Sequence, residues 1–219
     1  HLLEAAREQP LFEQFIFFSS GAVYGEMKSS EPINEDMTFP IDQSDVANCY
    51  AIGKVTGESL CAAYRRQYGI STKMLRLAHT YGPGMDLNGD IRAFSEFIRS
   101  ALQGDKITLH TAGTQKRSYC YISDATRAFF EILFNGKCGN AYNLVNQAES
   151  YSIRAFAELV AANAPRPIAI ETGMQPTSGG YAPQHNAAIL SDRKIKALGW
   201  MPTVGLAEGL RRTMATYTA

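Results

Sequence analysis

The stretch "FIFFSSGAVYGE", residues 15–26, decides the fold. Phe15 to Phe18 form an apolar run rich in Phe and Ile, fit for a short strand covered on both faces, as in a parallel sheet. One turn residue would suffice to end such a strand, yet this one ends on Ser19-Ser20 before Gly21. Two hydroxyls at the end of a buried strand need a reason. Upstream, "HLLEAAREQ" carries Leu2, Leu3, Ala5 and Ala6 at helical spacing until Pro10 stops it. Downstream, residues 26–44 read as a loop. Asp45 can cap a helix that runs to Tyr68 and is closed by Gly69.

Further along, "STKMLRLAH" (71–79) reads as one strand, with "YGPG" turning away from it, and residues 89–103 as a helix. "KITLHT" and "RSYCYI" read as strands, and Asp124 as the cap of the helix "ATRAFFEILF". "NAYNLVN" and "IAIET" are strands around the helix "SIRAFAELVAANA", and "SDRKIKALGW" is the last helix but one. Residues 174–186 read as a flexible loop. Strands alternating with helices give an α/β fold.

The 219 residues, 45% hydrophobic and 19% charged, suffice for one large domain or two small ones. Lys plus Arg and Asp plus Glu number 21 each, so no basic surplus draws the chain to nucleic acid or anionic lipid. Cys49, Cys61, Cys120 and Cys138 form no C-x-x-C pair and have no histidine at metal-ligand spacing. They are expected as reduced core residues of a cytoplasmic protein without a metal site. No run approaches the roughly 18 apolar residues of a membrane span, and the first residues lack the basic and apolar pattern of a targeting segment.

Tyr50 and Lys54 stand four apart in the helix after Asp45, so both project from one face about one turn apart. Alone, a Y-x-x-x-K pair is usually a half-buried tyrosine beside a solvated lysine. Ser20 changes the weighing, because it ends a parallel strand at the carboxyl edge where open α/β sheets bind ligands. A free phenol is too weakly acidic to act as a base at neutral pH, and a nearby ammonium favours the phenolate. Ser20 could then orient a substrate alcohol whose proton passes toward Tyr50. One of the two hydroxyls is thus expected to serve the substrate.

Taken in order, "FFSSGAVYGE", "YAIGK" followed by Glu58, "LRLAHTYGPG", "RSYCYISDA", "YNLVN" and "LGWMP" resemble the motifs of the extended short-chain dehydrogenase/reductase family, the nucleotide-sugar epimerases and dehydratases. The resemblance implies the C-terminal part of a Rossmann-type parallel sheet with a smaller α/β substrate-binding domain. Residues 1–78 and 118–147 would belong to the NAD-binding domain, and 79–117 and 148–219 to the nucleotide-sugar-binding domain. Ser20, Tyr50 and Lys54 would be catalytic, with Tyr50 and Lys54 also at the NAD cofactor. Ser20, Tyr24, His79 and Arg117 would contact a nucleoside-diphosphate sugar, Arg117 through its diphosphate. A homodimer is implied for the complete protein.

Four departures qualify this pattern. Dehydratases of the family carry acidic residues directly after the Ser/Thr, where Gly21 and Ala22 stand here; neither moves a proton, so 4-epimerisation is expected over dehydration. His79 replaces the usual Asn, and it can either donate to substrate or simply pack. No second, "R-x-G-D" arginine matches "GGYAPQHNAAILSD". No glycine-rich G-x-x-G-x-x-G turn for a dinucleotide pyrophosphate occurs in these residues. The resemblance implies that the chain would open in the helix before the fifth strand of the sheet, and part of the sheet edge would then be uncovered. The alternatives are a dehydratase, decarboxylase or 4-keto-reductase of the same family and, in another class, a non-catalytic relic or interaction module.

Overall fold

The computed structural model describes residues 1–27, 29–90, 92–173 and 189–218. The loop expected at 174–186 lies outside them. Helix α1 (Leu2–Arg7) leads to strand β1 (Phe15–Ser20), which a short 3-10 turn, Gly21–Tyr24, closes. Helix α2 (Cys49–Tyr68), strands β2 (Thr72–Leu77) and β3 (His79–Tyr81), helix α3 (Ala93–Gln103) and strand β4 (Ile107–Leu109) follow. Strand β5 (Lys116–Tyr121) runs into helix α4 (Ile122–Asn135), and strands β6 (Ala141–Leu144) and β7 (Ser150–Ser152) precede helix α5 (Ile153–Ala162). Strand β8 (Ile170–Thr172), the single turn α6 (Arg193–Lys196) and helix α7 (Leu206–Ala215) complete the order.

Three parallel strands in the order β1-β2-β6 form the first sheet. Side chains alternate across it, and each face has its own helix. On one face a Cβ at Gly57 of α2 would fall within 2.9 Å of the Phe17 ring, so α2 lies directly on β1. On the other, Phe18 stacks on Phe129 of α4 at 5.6 Å, and Leu75, Tyr142 and Leu144 pack with Ala128, Ile132 and Trp200. This is the Rossmann-type portion expected, with helices on both faces of a parallel sheet.

The second assembly pairs β3 parallel to β5 and β5 antiparallel to β7, with β4 and β8 forming a small parallel sheet beside them. Tyr81, Phe94, Phe97, Tyr119, Phe156 and Leu210 centre its core, and Phe94 and Phe156 stack at 4.6 Å.

Several expectations are corrected. Residues 71–79 are two strands in different sheets, because after Ala78 donates to the Leu144 carbonyl at 3.2 Å the chain leaves β6 and pairs His79 with Tyr119 instead. Asp45 caps the 3-10 turn Val46–Asn48 through the Ala47 N–H, and α2 starts at Cys49. Asp124 is no helix cap. It lies two residues inside α4, 1% exposed, and accepts from the Thr203 N–H, the Thr203 hydroxyl, the Val204 N–H and Arg127 at 2.8 to 2.9 Å. It ties the segment before α7 to the first sheet. Cys61 and Cys120 are core residues, but Cys49 and Cys138 are exposed. Residues 191–200 are helical only at Arg193–Lys196.

Candidate active site

The two serines divide their work by strand alternation. Ser19, 2% exposed, points toward α2 and donates to Glu58 Oε1 at 2.6 Å. Ser20 closes the strand and caps the following 3-10 turn, its Oγ accepting from the Ala22 N–H at 3.1 Å. That bond uses a lone pair and leaves the Ser20 proton available to another acceptor.

Tyr50 and Lys54 come from the first turns of α2, which the 20-residue helix presents beside β1. The Lys54 ammonium donates to the Phe18 carbonyl at 2.8 Å, two residues before Ser20. It also lies 5.7 Å from the Tyr50 ring centroid and 5.3 Å from that of Phe17. Tyr50 itself is 51% exposed, so its phenol faces outward where an incoming group can meet it. Ser20 and Lys54 are thus tied to one strand end, with Tyr50 against Lys54.

Beneath them runs a buried polar row. Ser19, Arg76 and Asn143 are partners in register across β1, β2 and β6, so they share a face. Arg76 grips both Glu58 oxygens, at 3.0 and 2.8 Å, and its remaining nitrogen donates to the Tyr24 hydroxyl and the Glu35 carbonyl. Burial opposes the Arg76 charge, and the Glu58 carboxylate outweighs it, holding Arg76 above its ordinary range. Tyr24, expected at the substrate, is 1% exposed and spends its hydroxyl on Asn143 and Arg76. Burial pushes its phenol up to about 12, with the Arg76 charge working the other way.

His79 and Arg117 lie on the neighbouring strands β3 and β5. The His79 ring meets Tyr119 edge-on at 5.7 Å. Arg117, partly buried, donates to the Lys116 carbonyl and to Gln115, and burial lowers it from its ordinary range while Tyr119 raises it. The sequence reading did not single out Arg92, at the start of α3. Asp90 grips it through three contacts of 2.6 to 2.9 Å and raises it above its ordinary value, and Tyr50 is close enough to add to that shift. Only its place after an Asp two residues earlier marked it. Among the described residues no cluster of His, Cys, Asp or Glu could hold a metal ion, and no helix is long and apolar enough to cross a membrane.

Residues 1–145 match the NAD dependent epimerase/dehydratase family. UDP-glucuronic acid decarboxylase 1 of Danio rerio is 31% identical over 94% of this chain and 47% of its own length. UDP-glucuronic acid decarboxylase 6 of Arabidopsis thaliana is 32% identical over 90% of the chain and 55% of its own. The chain spans about half the length of these curated relatives. The UDP-glucose 4-epimerase of Thermus thermophilus, solved with NAD, superposes with a TM-score of 0.83 at 28% identity, covering 99% of this chain and 67% of that one. The family match covers more than half of the chain and the parallel sheet agrees with it, so the chain belongs to the NAD-dependent epimerase/dehydratase family.

Proposed function

We propose that the chain is the catalytic and substrate-binding portion of an NAD-dependent nucleotide-sugar enzyme, and that its reaction is 4-epimerisation. What supports this reading is the Lys54 ammonium on the Phe18 carbonyl, two residues before Ser20, with the Tyr50 ring beside it, followed by Gly21 and Ala22, which cannot move protons. The residues present fit one end of NAD. The half-exposed Tyr50 and the Lys54 ammonium would hold the nicotinamide ribose, whereas no glycine-rich pyrophosphate turn lies in this sequence. Bound NAD would supply the hydride acceptor.

The chain's own groups do the rest. Tyr50, with the Lys54 ammonium beside its ring, would take the proton of the sugar alcohol. Ser20 donates to the same oxygen and fixes its orientation. His79 and Arg117, on adjoining strands, would bind the nucleotide sugar, Arg117 through a charge-assisted pair to the diphosphate. Tyr24 would support the strand end from below. Residues 1–78 and 118–147, which carry the three strands of the first sheet, would form the dinucleotide side, and 79–117 with 148–219 the sugar side. Exposed Val55 and Leu60 on α2 support a homodimer.

A second reading, decarboxylation of a nucleotide uronic acid, is favoured by the curated relatives. NMR of the full-length protein with NAD and UDP-glucose, dTDP-glucose or UDP-glucuronic acid separates them. C4 epimers without net cofactor consumption support the epimerase. A pentose product with release of carbon dioxide supports the decarboxylase, and a 4-keto-6-deoxy product overturns both.

A further inference from the structure

The mechanism above needs Tyr50 and Lys54 held to a fraction of an ångström relative to Ser20, although they stand on a different element. Residues 50, 54 and 58 recur every fourth position, so they lie along one side of α2 over about 12 Å. Three successive contacts on that side meet β1. Lys54 donates to the Phe18 carbonyl, Gly57 lies against the Phe17 ring, and Glu58 accepts from Ser19. The first fixes the ammonium itself. The second sets the distance between helix and strand. The third is the one that can fix rotation, since a carboxylate is directional and this one is held on both oxygens.

Glu58 is in turn immobilised from the sheet. Its side chain is 13% exposed and that of Arg76 14%. Arg76 carries the constraint to Tyr24 and the Glu35 backbone, and Tyr24 passes it to Asn143 on β6. The Asn143 N–H donates to the Glu35 carboxylate at 2.7 Å, which closes the circuit. A helix side chain is thereby referenced to all three strands of the sheet.

We infer that Glu58 is a positioning residue of the Ser20, Tyr50 and Lys54 site, fixing the rotation of α2 on β1 through its joint grip on Ser19 and Arg76. This rests on the functional reading given above. A rotation of about 10° moves an atom at the helix surface, about 6 Å from the axis, by about 1 Å. Misplacement of about 1 Å costs about 10²-fold in rate. Substrate affinity, set by groups on other strands, is left in place.

The test compares wild type, Glu58→Gln and Ser19→Ala in the full-length protein with NAD, each also in a Tyr50→Phe background. Glu58→Gln is expected to lower kcat by about 10- to 100-fold with KM within about twofold. Ser19→Ala, which leaves the Arg76 pair, is expected to lose less than Glu58→Gln. In the Tyr50→Phe background Glu58→Gln is expected to change the residual rate less than about twofold, because the phenol hydroxyl through which the alignment of α2 reaches the rate is gone. Hydrogen exchange at residues 49–57 reads the anchor without catalysis and is expected to quicken by about tenfold in Glu58→Gln. A folded Glu58→Gln with unchanged kcat, or the same loss in both backgrounds, overturns the inference. If Glu58→Gln does not fold, Ser19→Ala decides, and unchanged kcat and exchange there overturn it. If wild type turns over no nucleotide sugar, the functional reading fails, and unchanged exchange at 49–57 still overturns the anchoring role by itself.

Discussion

Replacing Asp124 by Asn distinguishes a helix cap from a tertiary hub by magnitude. A cap is worth about 0.5–2 kcal/mol. As a hub, the Asp124 carboxylate accepts from the Thr203 and Val204 N–H groups, the Thr203 hydroxyl and Arg127. The best orientation of an asparagine keeps its oxygen on the two backbone donors and lets the threonine hydroxyl turn to accept. Those two bonds lose their charge assistance, about 1 kcal/mol each. The amide nitrogen then faces the Arg127 guanidinium, which is about half exposed and adds only about 0.5 kcal/mol. The sum is about 2–3 kcal/mol. Asp124→Ala, which leaves both N–H groups without an acceptor, should cost about 3–5 kcal/mol. For a chain of this size, Asn at 124 should lower Tm by roughly 5–10 °C. The assay is built in. Trp200, the single tryptophan, is 1% exposed and donates its indole N–H to the Asp124 carbonyl at 2.9 Å, so its fluorescence in urea reports this junction. Thr203→Val, which removes only the hydroxyl, should lose about 1 kcal/mol or less. A loss below about 1 kcal/mol for Asp124→Asn would refute the hub and restore the cap.

Tyr50→Phe in the full-length protein should lower kcat by about 10²- to 10⁴-fold while calorimetry finds nucleotide-sugar affinity little changed; wild-type turnover removes Tyr50 as the base. Arg117→Ala should weaken nucleotide-sugar binding by about 2–4 kcal/mol, and equal affinities would return it to a surface charge. Burial opposes ionisation of Asp90, but Arg92 and Ser95 prevail and lower it from 3.8 to about 2. The stability it lends is therefore complete above about pH 4 and is lost as pH falls toward 2. A carboxyl NMR titration should find that midpoint and see it rise in Arg92→Ala; an ordinary midpoint in the wild type would sink the pair. Gly57→Ala gains about 1 kcal/mol of helix propensity and loses about 1–3 kcal/mol by overpacking against Phe17. Urea unfolding should show a net loss that Phe17→Leu relieves, and net stabilisation would show that α2 does not press on β1.

Residues 15–20 and 50–54 were legible in the sequence because their constraints are local. A run of four apolar residues rich in Phe and Ile, too short for a helix and bounded by Gly21, favours a strand, and a spacing of four puts Tyr50 and Lys54 on one side of any helix. Motif order along the chain did the same for the family. The use made of each polar residue was not local. Asp124 stands where a cap would stand, but its partners are Thr203 and Val204, which only the packing of α7's approach brings near. Residues 71–79 carry an unbroken strand pattern, and their division at Ala78 follows from two different neighbours, β6 and β5. Ser19 and Ser20 are alike in sequence, and the family resemblance implied a substrate contact for Tyr24 beside them. Alternation turns Ser19 to Glu58, and burial under Arg76 takes Tyr24. Hydrogen bonds and desolvation act over a few ångströms in space, so residues dozens of positions apart decide what a hydroxyl or carboxylate does, while the sequence alone decides which element carries it.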